Sequence, residues 1–271
     1  MSPVEACKNK DIAFLLDVTG SPDDAPKIQR FLAYLVNDSF VIGPSDVNIA
    51  IISFKPEING HVTLDKGDIF PDVSAAILTV NVHNGTSFES QTYNALDLAK
   101  TVFLSPKHVQ GGRINASKIA VVLTTGLNDK FCTTVQKALA AKQQGIEVYA
   151  IGVGNKTSQL LELKAIVSPP AYTHAFHVEA FDELGELAED FSKALCSVTN
   201  NMTSPEDDGW YRHYQTTCLN VTSSSPQSGV TVIALLWLAA IIGFLCCMKK
   251  KSRRVRAEDV QVDKSAEKEN G

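Results

Sequence analysis

The chain has 271 residues, 44% of them apolar, and a net charge of −5. That is enough for one domain of about 200 residues with its own core, plus appendages. The acidic balance gives no reason to expect binding driven by nucleic-acid phosphates, and no spacing among the six cysteines matches a zinc site.

Residues 12–16, Ile-Ala-Phe-Leu-Leu, are a continuous apolar run. Such a run reads as a strand buried on both faces, as in parallel sheets covered by helices. It stops at Asp17, and Thr19 and Ser21 follow at every second position. One carboxylate and two hydroxyls are thus expected just beyond the strand's C-terminal end, where open α/β sheets bind ligands. Hard oxygen donors suit Mg²⁺, Ca²⁺ or Mn²⁺.

Helical spacing follows over Asp24–Ser39, with Ile28, Phe31, Leu32, Leu35 and Val36 on one face. Val47–Phe54 reads as a second strand and His61–Leu64 as a short antiparallel edge strand. Ile69–Val80 reads as a helix with Val73, Ala76, Ile77 and Val80 inward. A Gly/Ser/Thr-rich stretch at 83–92 precedes a helix over Tyr93–Phe103. Lys118–Leu123 is a buried strand running into Thr124-Thr125-Gly126. Helix Asp129–Gln144 is closed by Gly145 at its C′ position. Then come strand Ile146–Val153, short helix Leu160–Ile166, strand Tyr172–Val178 and amphipathic helix Phe181–Leu195. Strand alternates with helix throughout, the pattern of an α/β doubly wound, mostly parallel sheet flanked by helices.

Residues 197–229 read as a stalk rich in Ser, Thr, Asn and Pro. Residues 230–248 carry no charge over 19 positions, roughly 28 Å of helix, the thickness of a bilayer core. Lys249, Lys250, Lys251, Arg253, Arg254 and Arg256 follow directly. By the positive-inside rule residues 249–271 are a cytoplasmic tail and the N-terminal domain is outside. A buried core helix does not account for the basic flank or the terminal position. Asn37, Asn84, Asn115, Asn155, Asn201 and Asn220 each begin N-x-S/T, all before this span. Chance would give about two such sequons, so six point to secretory passage and glycosylation. Met1–Cys7 has no apolar h-region, which leaves a processed chain or an incomplete one as the expectation. Cys246 and Cys247, at the cytosolic edge, read as palmitoylation sites or as apolar filler.

The run Asp17-Val-Thr19-Gly-Ser21 resembles the D-x-S-x-S signature of the von Willebrand factor A domain, where it begins the metal-ion-dependent adhesion site. The Thr-Thr-Gly strand end, Val-Tyr-Ala-Ile-Gly-Val-Gly at 148–154 and Phe-Asp-Glu-Leu at 181–184 extend the likeness over residues 7–196. The latter two are similar to the A domains of type VI collagen and matrilins. The single-pass layout is similar to that of the anthrax toxin receptors, with a stalk too short for an added immunoglobulin-like domain.

The resemblance implies a Rossmann-like fold whose ends lie close, so that Cys7 and Cys196 form a disulfide. That bridge closes a loop worth about 5 kcal/mol in the chain-entropy model. Cys132 and Cys218 either pair with each other or stay apart, as a buried thiol and an intermolecular bridge. The family's five metal-site positions fall on Asp17, Thr19, Ser21, Ser90 and Thr125, with Thr86 a competing register for Ser90. Thr125 stands where the family carries an aspartate, which makes the site degenerate. Losing a carboxylate weakens the hold on Mg²⁺ or Mn²⁺, unless Asp23, Asp24 or Asp129 compensates through water. Both a weak working site and a vestigial one remain open. The sequons at Asn84 and Asn155 belong to the end that carries this site, and those at Asn37 and Asn115 to the other end.

No enzyme is expected. His174 and His177 are three apart on an expected strand and point to opposite faces. Gly152-Val-Gly154 lacks the third glycine of a dinucleotide fingerprint, and Ser21 lacks a nucleophile elbow. The acidic residues of 182–190 read as a solvated helix face. The resemblance implies a plasma-membrane protein that binds an extracellular-matrix or cell-surface protein, either through a cation or as a metal-independent module, and takes neither nucleic acid nor a small-molecule substrate.

Overall fold

The computed structural model describes residues 7–54, 58–83, 92–105, 111–126, 130–154, 156–196 and 216–218. All of these lie within one compact unit, Met1–Asn220. Ser90, Thr86, Asp129, four of the sequons (Asn84, Asn155, Asn201 and Asn220), Cys246, Cys247 and residues 230–248 lie outside the described residues. Among the described residues no helix is long and apolar enough to cross a membrane.

In chain order the elements are β1 (Lys10–Asp17), α1 (Ala25–Tyr34), β2 (Val47–Phe54), β3 (Asn59–Val62), α2 (Phe70–Leu78), α3 (Thr92–Leu104), β4 (Ser117–Thr124), α4 (Phe131–Gln143), β5 (Ile146–Val153), α5 (Lys156–Ile166), α6 (Ala171–His174), β6 (Ala175–Val178) and α7 (Leu184–Cys196). The strands form one six-stranded sheet in the order β3-β2-β1-β4-β5-β6. All pairs are parallel except β2 with β3. The chain winds from β1 to one side through β2 and then crosses back to β4 on the other. The switch point is therefore at the C-terminal ends of β1 and β4.

Every residue of β1 is buried, because the sheet is covered on both faces. Ile12, Phe14 and Leu16 pack with α1, α2 and α7 through Phe31, Ile77 and Phe191. Ala13 and Leu15 pack on the opposite side with α3, α4 and α5 through Phe103, Val135 and Leu163. Gly145, at φ +75°, ends α4 in the left-handed conformation that glycine takes without a Cβ penalty.

Two expected boundaries move. The edge strand is Asn59–Val62 rather than His61–Leu64, because Leu64 leaves the ladder and is buried in the α3 side of the core. The strand expected from Tyr172 begins only at Ala175. Before it, the Thr173 amide and hydroxyl both donate to Pro170 O, at 3.2 and 2.9 Å, and close a helical turn. His174 therefore lies in that turn, 1% exposed, with Nε2 at 2.9 Å from Glu147 Oε1 and its ring 4.3 Å from that of Tyr149. His177 sits on β6, so the two histidines do not share a strand.

His61 ties the edge of the sheet to α2. Thr79 Oγ1 donates to Ala76 O at 2.7 Å, so it accepts from His61 Nδ1–H at 2.7 Å. The free Nε2 then accepts from Ser53 Oγ–H at 2.8 Å. Ser53 is only 3% exposed, which closes this serine–histidine pair to any substrate. Burial holds the His61 pKa below its ordinary value, so the folded state keeps the ring neutral. The unfolded chain takes up the proton first as pH falls through about 6.5, so stability is full above that pH and declines below it. Urea titrations at pH 7.5 and 5.5 are expected to show a smaller loss of stability for His61→Gln than for the native chain. Equal losses would show that His61 is not the titrating group.

Candidate functional site

Asp17 closes β1 at the switch point and is fully buried. Its Oδ1 accepts from Thr19 N at 3.1 Å, which turns the chain away from the sheet. Its Oδ2 accepts from Thr124 Oγ1 at 3.1 Å, Thr125 Oγ1 at 3.3 Å and Thr125 N at 3.4 Å. The register that sets Leu16 beside Leu123 brings the ends of β1 and β4 to one level.

The loop after Asp17 is pinned on its other side. His83 N donates to Val18 O at 2.9 Å and Gly20 N to His83 O at 3.2 Å. Ser21 then caps a 3₁₀ turn over Pro22–Asp24: its Oγ accepts from Asp23 N at 3.4 Å, and its own N donates to Asp24 Oδ2 at 3.0 Å. This is a reciprocal capping box. A Cβ at Gly20 would lie 3.0 Å from that Asp24 oxygen, so any larger residue would make the carboxylate give way by a few tenths of an ångström. Lys27 Nζ bridges Asp24 Oδ1 at 3.0 Å and Asp182 Oδ2 at 2.9 Å, tying the loop's helix to the start of the last one. Hydrogen bonds to Asp182 first, and to Asp24, hold the Lys27 ammonium above its ordinary pKa range.

Of the five expected positions, the structure bonds the Thr19 amide and the Thr125 hydroxyl to Asp17 and sets Ser21 two residues beyond Thr19 on the same loop. The fifth, Ser90, lies outside the described residues. Thr19 Oγ1 is buried and has no hydrogen-bond partner among the described residues. A buried hydroxyl left without a partner costs free energy, and a cation beside Asp17 would supply one. The donor set therefore fits a divalent cation of the hard, oxygen-seeking kind. The fit is a weak one: among the described residues no cluster of three or more Asp, Glu, His or Cys surrounds the spot. Thr125, in the place of a second carboxylate, donates a hydrogen bond to the first.

One contributor, and the role of another, escaped the sequence reading. Thr124 hydrogen-bonds Asp17 directly, although the family pattern singles out only Thr125. Asp24 anchors the Ser21 backbone rather than standing by for a cation; the S-x-x-D spacing of a capping box was its available signal.

Two disulfides frame the domain. Cys7–Cys196 joins its two ends. Cys132–Cys218 fastens residues 216–218 to the start of α4, and Gln136 Nε2 donates to Cys218 O at 2.9 Å. Cys218 is fully buried there.

The model of the von Willebrand factor type A domain matches residues 11–190. Human matrilin-3 is 25% identical over 197 residues, covering 71% of this chain and 39% of that protein. Matrilin-1 of Gallus gallus is 23% identical over 229 residues, covering 82% of this chain and 43% of that protein. The chain thus spans less than half the length of either matrilin. Among solved structures, proximal thread matrix protein 1 from the mussel byssus, with a zinc-occupied metal-ion-dependent adhesion motif, aligns at TM-score 0.61 and 22% identity over 70% of this chain and 48% of that one. The manganese-loaded TRAP protein of Plasmodium vivax aligns at TM-score 0.55 and 17% identity over 70% of this chain and 74% of that one. At these identities the structural likeness concerns the fold alone. The family match over most of the domain, on a doubly wound sheet with Asp17 at its switch point, makes the chain a member of the von Willebrand factor type A domain family.

Proposed function

We propose that this chain is a cell-surface protein-binding module whose ligand is an extracellular-matrix or cell-surface protein. In this reading residues 230–248 span the plasma membrane, residues 7–196 lie outside and residues 249–271 inside. The apolar span with its basic flank, the sequons and the disulfides support that placement. No catalytic step is part of it.

The observation that carries the reading is the buried Asp17 at the sheet's switch point, two residues before a buried Thr19 hydroxyl that has no hydrogen-bond partner among the described residues. Asp17, Thr19 and Ser21, with Ser90, would hold Mg²⁺ or Mn²⁺ there. Such a cation supplies a positive centre that a carboxylate of the partner can approach. The chain's own part is to fix the Asp17 carboxylate through Thr19, Thr124 and Thr125, and to keep the loop rigid through the Ser21–Asp24 box.

A second reading, a metal-independent interaction module, is favoured by one observation. Thr125 already donates to Asp17, so the carboxylate is served without any metal.

Manganese binding to the purified full-length chain, read from the loss of the free-ion paramagnetic resonance signal, separates the two. The cation reading expects millimolar-range affinity that Asp17→Ala abolishes. No binding at several millimolar Mn²⁺, with chelator-insensitive attachment of cells to matrix, would leave the metal-independent module.

A further inference from the structure

A groove of about 350 Å³ runs between α1 and α2, far more apolar than polar in its lining. Pro26, Ala33 and Asn37 line it from α1 and the π-helical turn that continues that helix, and Ile77 and Leu78 from α2. Residues 26, 29, 30, 33 and 37 form one stripe at helical spacing, so the groove follows the helix for roughly 16 Å. Leu78 is 72% exposed in its wall, a large apolar side chain left facing solvent. Asn37 is exposed at the far end of the stripe and begins the sequon Asn37-Asp38-Ser39.

We infer that the groove is the seat of the chain's own Asn37 glycan, with the first N-acetylglucosamine units lying along the stripe from Asn37 towards Pro26. The chemistry matches on both counts. Acetamide methyls and the apolar faces of the sugar rings cover Leu78 and Ala33 over a floor of buried Ile77, removing apolar surface from water. The groove also offers polar atoms at its sides for sugar hydroxyls. Arg30, whose Nε donates to Pro26 O at 3.3 Å, presents the rest of its guanidinium there. Gln29 Nε2 donates to Val80 O at 2.8 Å, closing the groove against the end of α2. A covalently attached occupant starts at the groove's mouth and needs no encounter. The glycan then removes the α1–α2 side from the surfaces open to a protein partner. This inference rests on the secretory passage proposed above and not on the cation.

The test uses the full-length chain expressed in cultured mammalian cells. Site-resolved mass spectrometry of glycopeptides comes first, then thermal melting and amide exchange of Asn37→Gln beside the native chain. Expected are an occupied Asn37, a fall in Tm of about 2–4 °C in the variant, and faster exchange confined to Ser74–Leu78. In a Leu78→Ser background, adding Asn37→Gln should cost clearly less Tm, since the sugar has lost its apolar partner. Glycans at Asn115 but not at Asn37 would overturn this inference and leave secretory passage standing. Glycans at none of the six sequons would overturn both. An occupied Asn37 whose loss changes neither Tm nor exchange would also overturn it, and so would an unchanged Tm with a gain in partner capture, which makes the groove a protein-binding face.

Discussion

Replacing Thr125 with aspartate is expected to tighten Mn²⁺ or Mg²⁺ binding at Asp17 at least tenfold and to destabilise the metal-free domain. Thr125 Oγ1 lies 3.3 Å from Asp17 Oδ2. A carboxylate at that position would stand about 4 Å from Asp17, where two like charges repel by roughly 4 kcal/mol at an effective dielectric of 20. Without metal the pair relieves this by keeping a proton, so its shared affinity for protons rises above the ordinary carboxylate range. The sign follows from linkage. The folded state then binds more protons than the unfolded one, so the variant loses stability as pH rises through that range and stays weakened at pH 7. A divalent cation reverses the penalty, because both charges now face +2. A tenfold gain in affinity needs only about 1.4 kcal/mol of that attraction to survive desolvation. Urea melts of Thr125→Asp with Mn²⁺ and with chelator should differ strongly, while the native chain shows a small difference. A variant as stable as the native chain without metal, and no tighter with it, would show that position 125 is not aimed at the Asp17 oxygens.

The features legible from sequence are those that local patterning dictates. Residues 12–16 read as a strand buried on both faces because five apolar residues in a row leave no polar side, and β1 is buried throughout. The burial of Asp17 itself was not legible, since it depends on Thr124 and Thr125 arriving from a strand more than 100 residues away. The family resemblance placed Thr125 beside Asp17, yet its role changed with its chemistry: a hydroxyl donates to the carboxylate where a second carboxylate would have shared a cation with it. The helical turn at 171–174 was hidden because Tyr172, Phe176 and Val178 alternate like a strand, and Thr173 bonding back to Pro170 overrides that pattern. The fate of Cys132 and Cys218 was left open, because spacing along the chain carries no distance across it.

Arg113→Ala is expected to cost about 3–5 kcal/mol of stability, the usual range for breaking a buried ion pair by removing one partner. Nothing in the sequence marked this residue, which sits in a loop 102 positions from the group it serves. Arg113 Nε donates to Asp11 Oδ1 at 2.7 Å and its backbone N to Oδ2 at 2.7 Å. Asp11 is fully buried within β1, so after truncation only that backbone amide, of these two bonds, remains to it. The guanidinium also donates to Lys10 O at 2.7 Å, Pro44 O at 2.9 Å and Asp46 O at 3.1 Å. One side chain thereby fastens the starts of β1 and β2 together at the end of the sheet opposite Asp17. For a domain of this size such a loss corresponds to a fall in Tm on the order of 10 °C. Arg113→Lys should recover only part of it, because an ammonium keeps the charge without the planar fork that reaches several acceptors at once. Asp11→Leu combined with Arg113→Met should be less damaging than the sum of the two single changes, since no lone charge is left buried. Manganese affinity measured well below the melting transition should stay at the native value in all of these variants. A stability loss under 1 kcal/mol for Arg113→Ala would mean that water replaces the guanidinium at little cost. A shifted manganese affinity would mean that the two ends of β1 are coupled through the sheet.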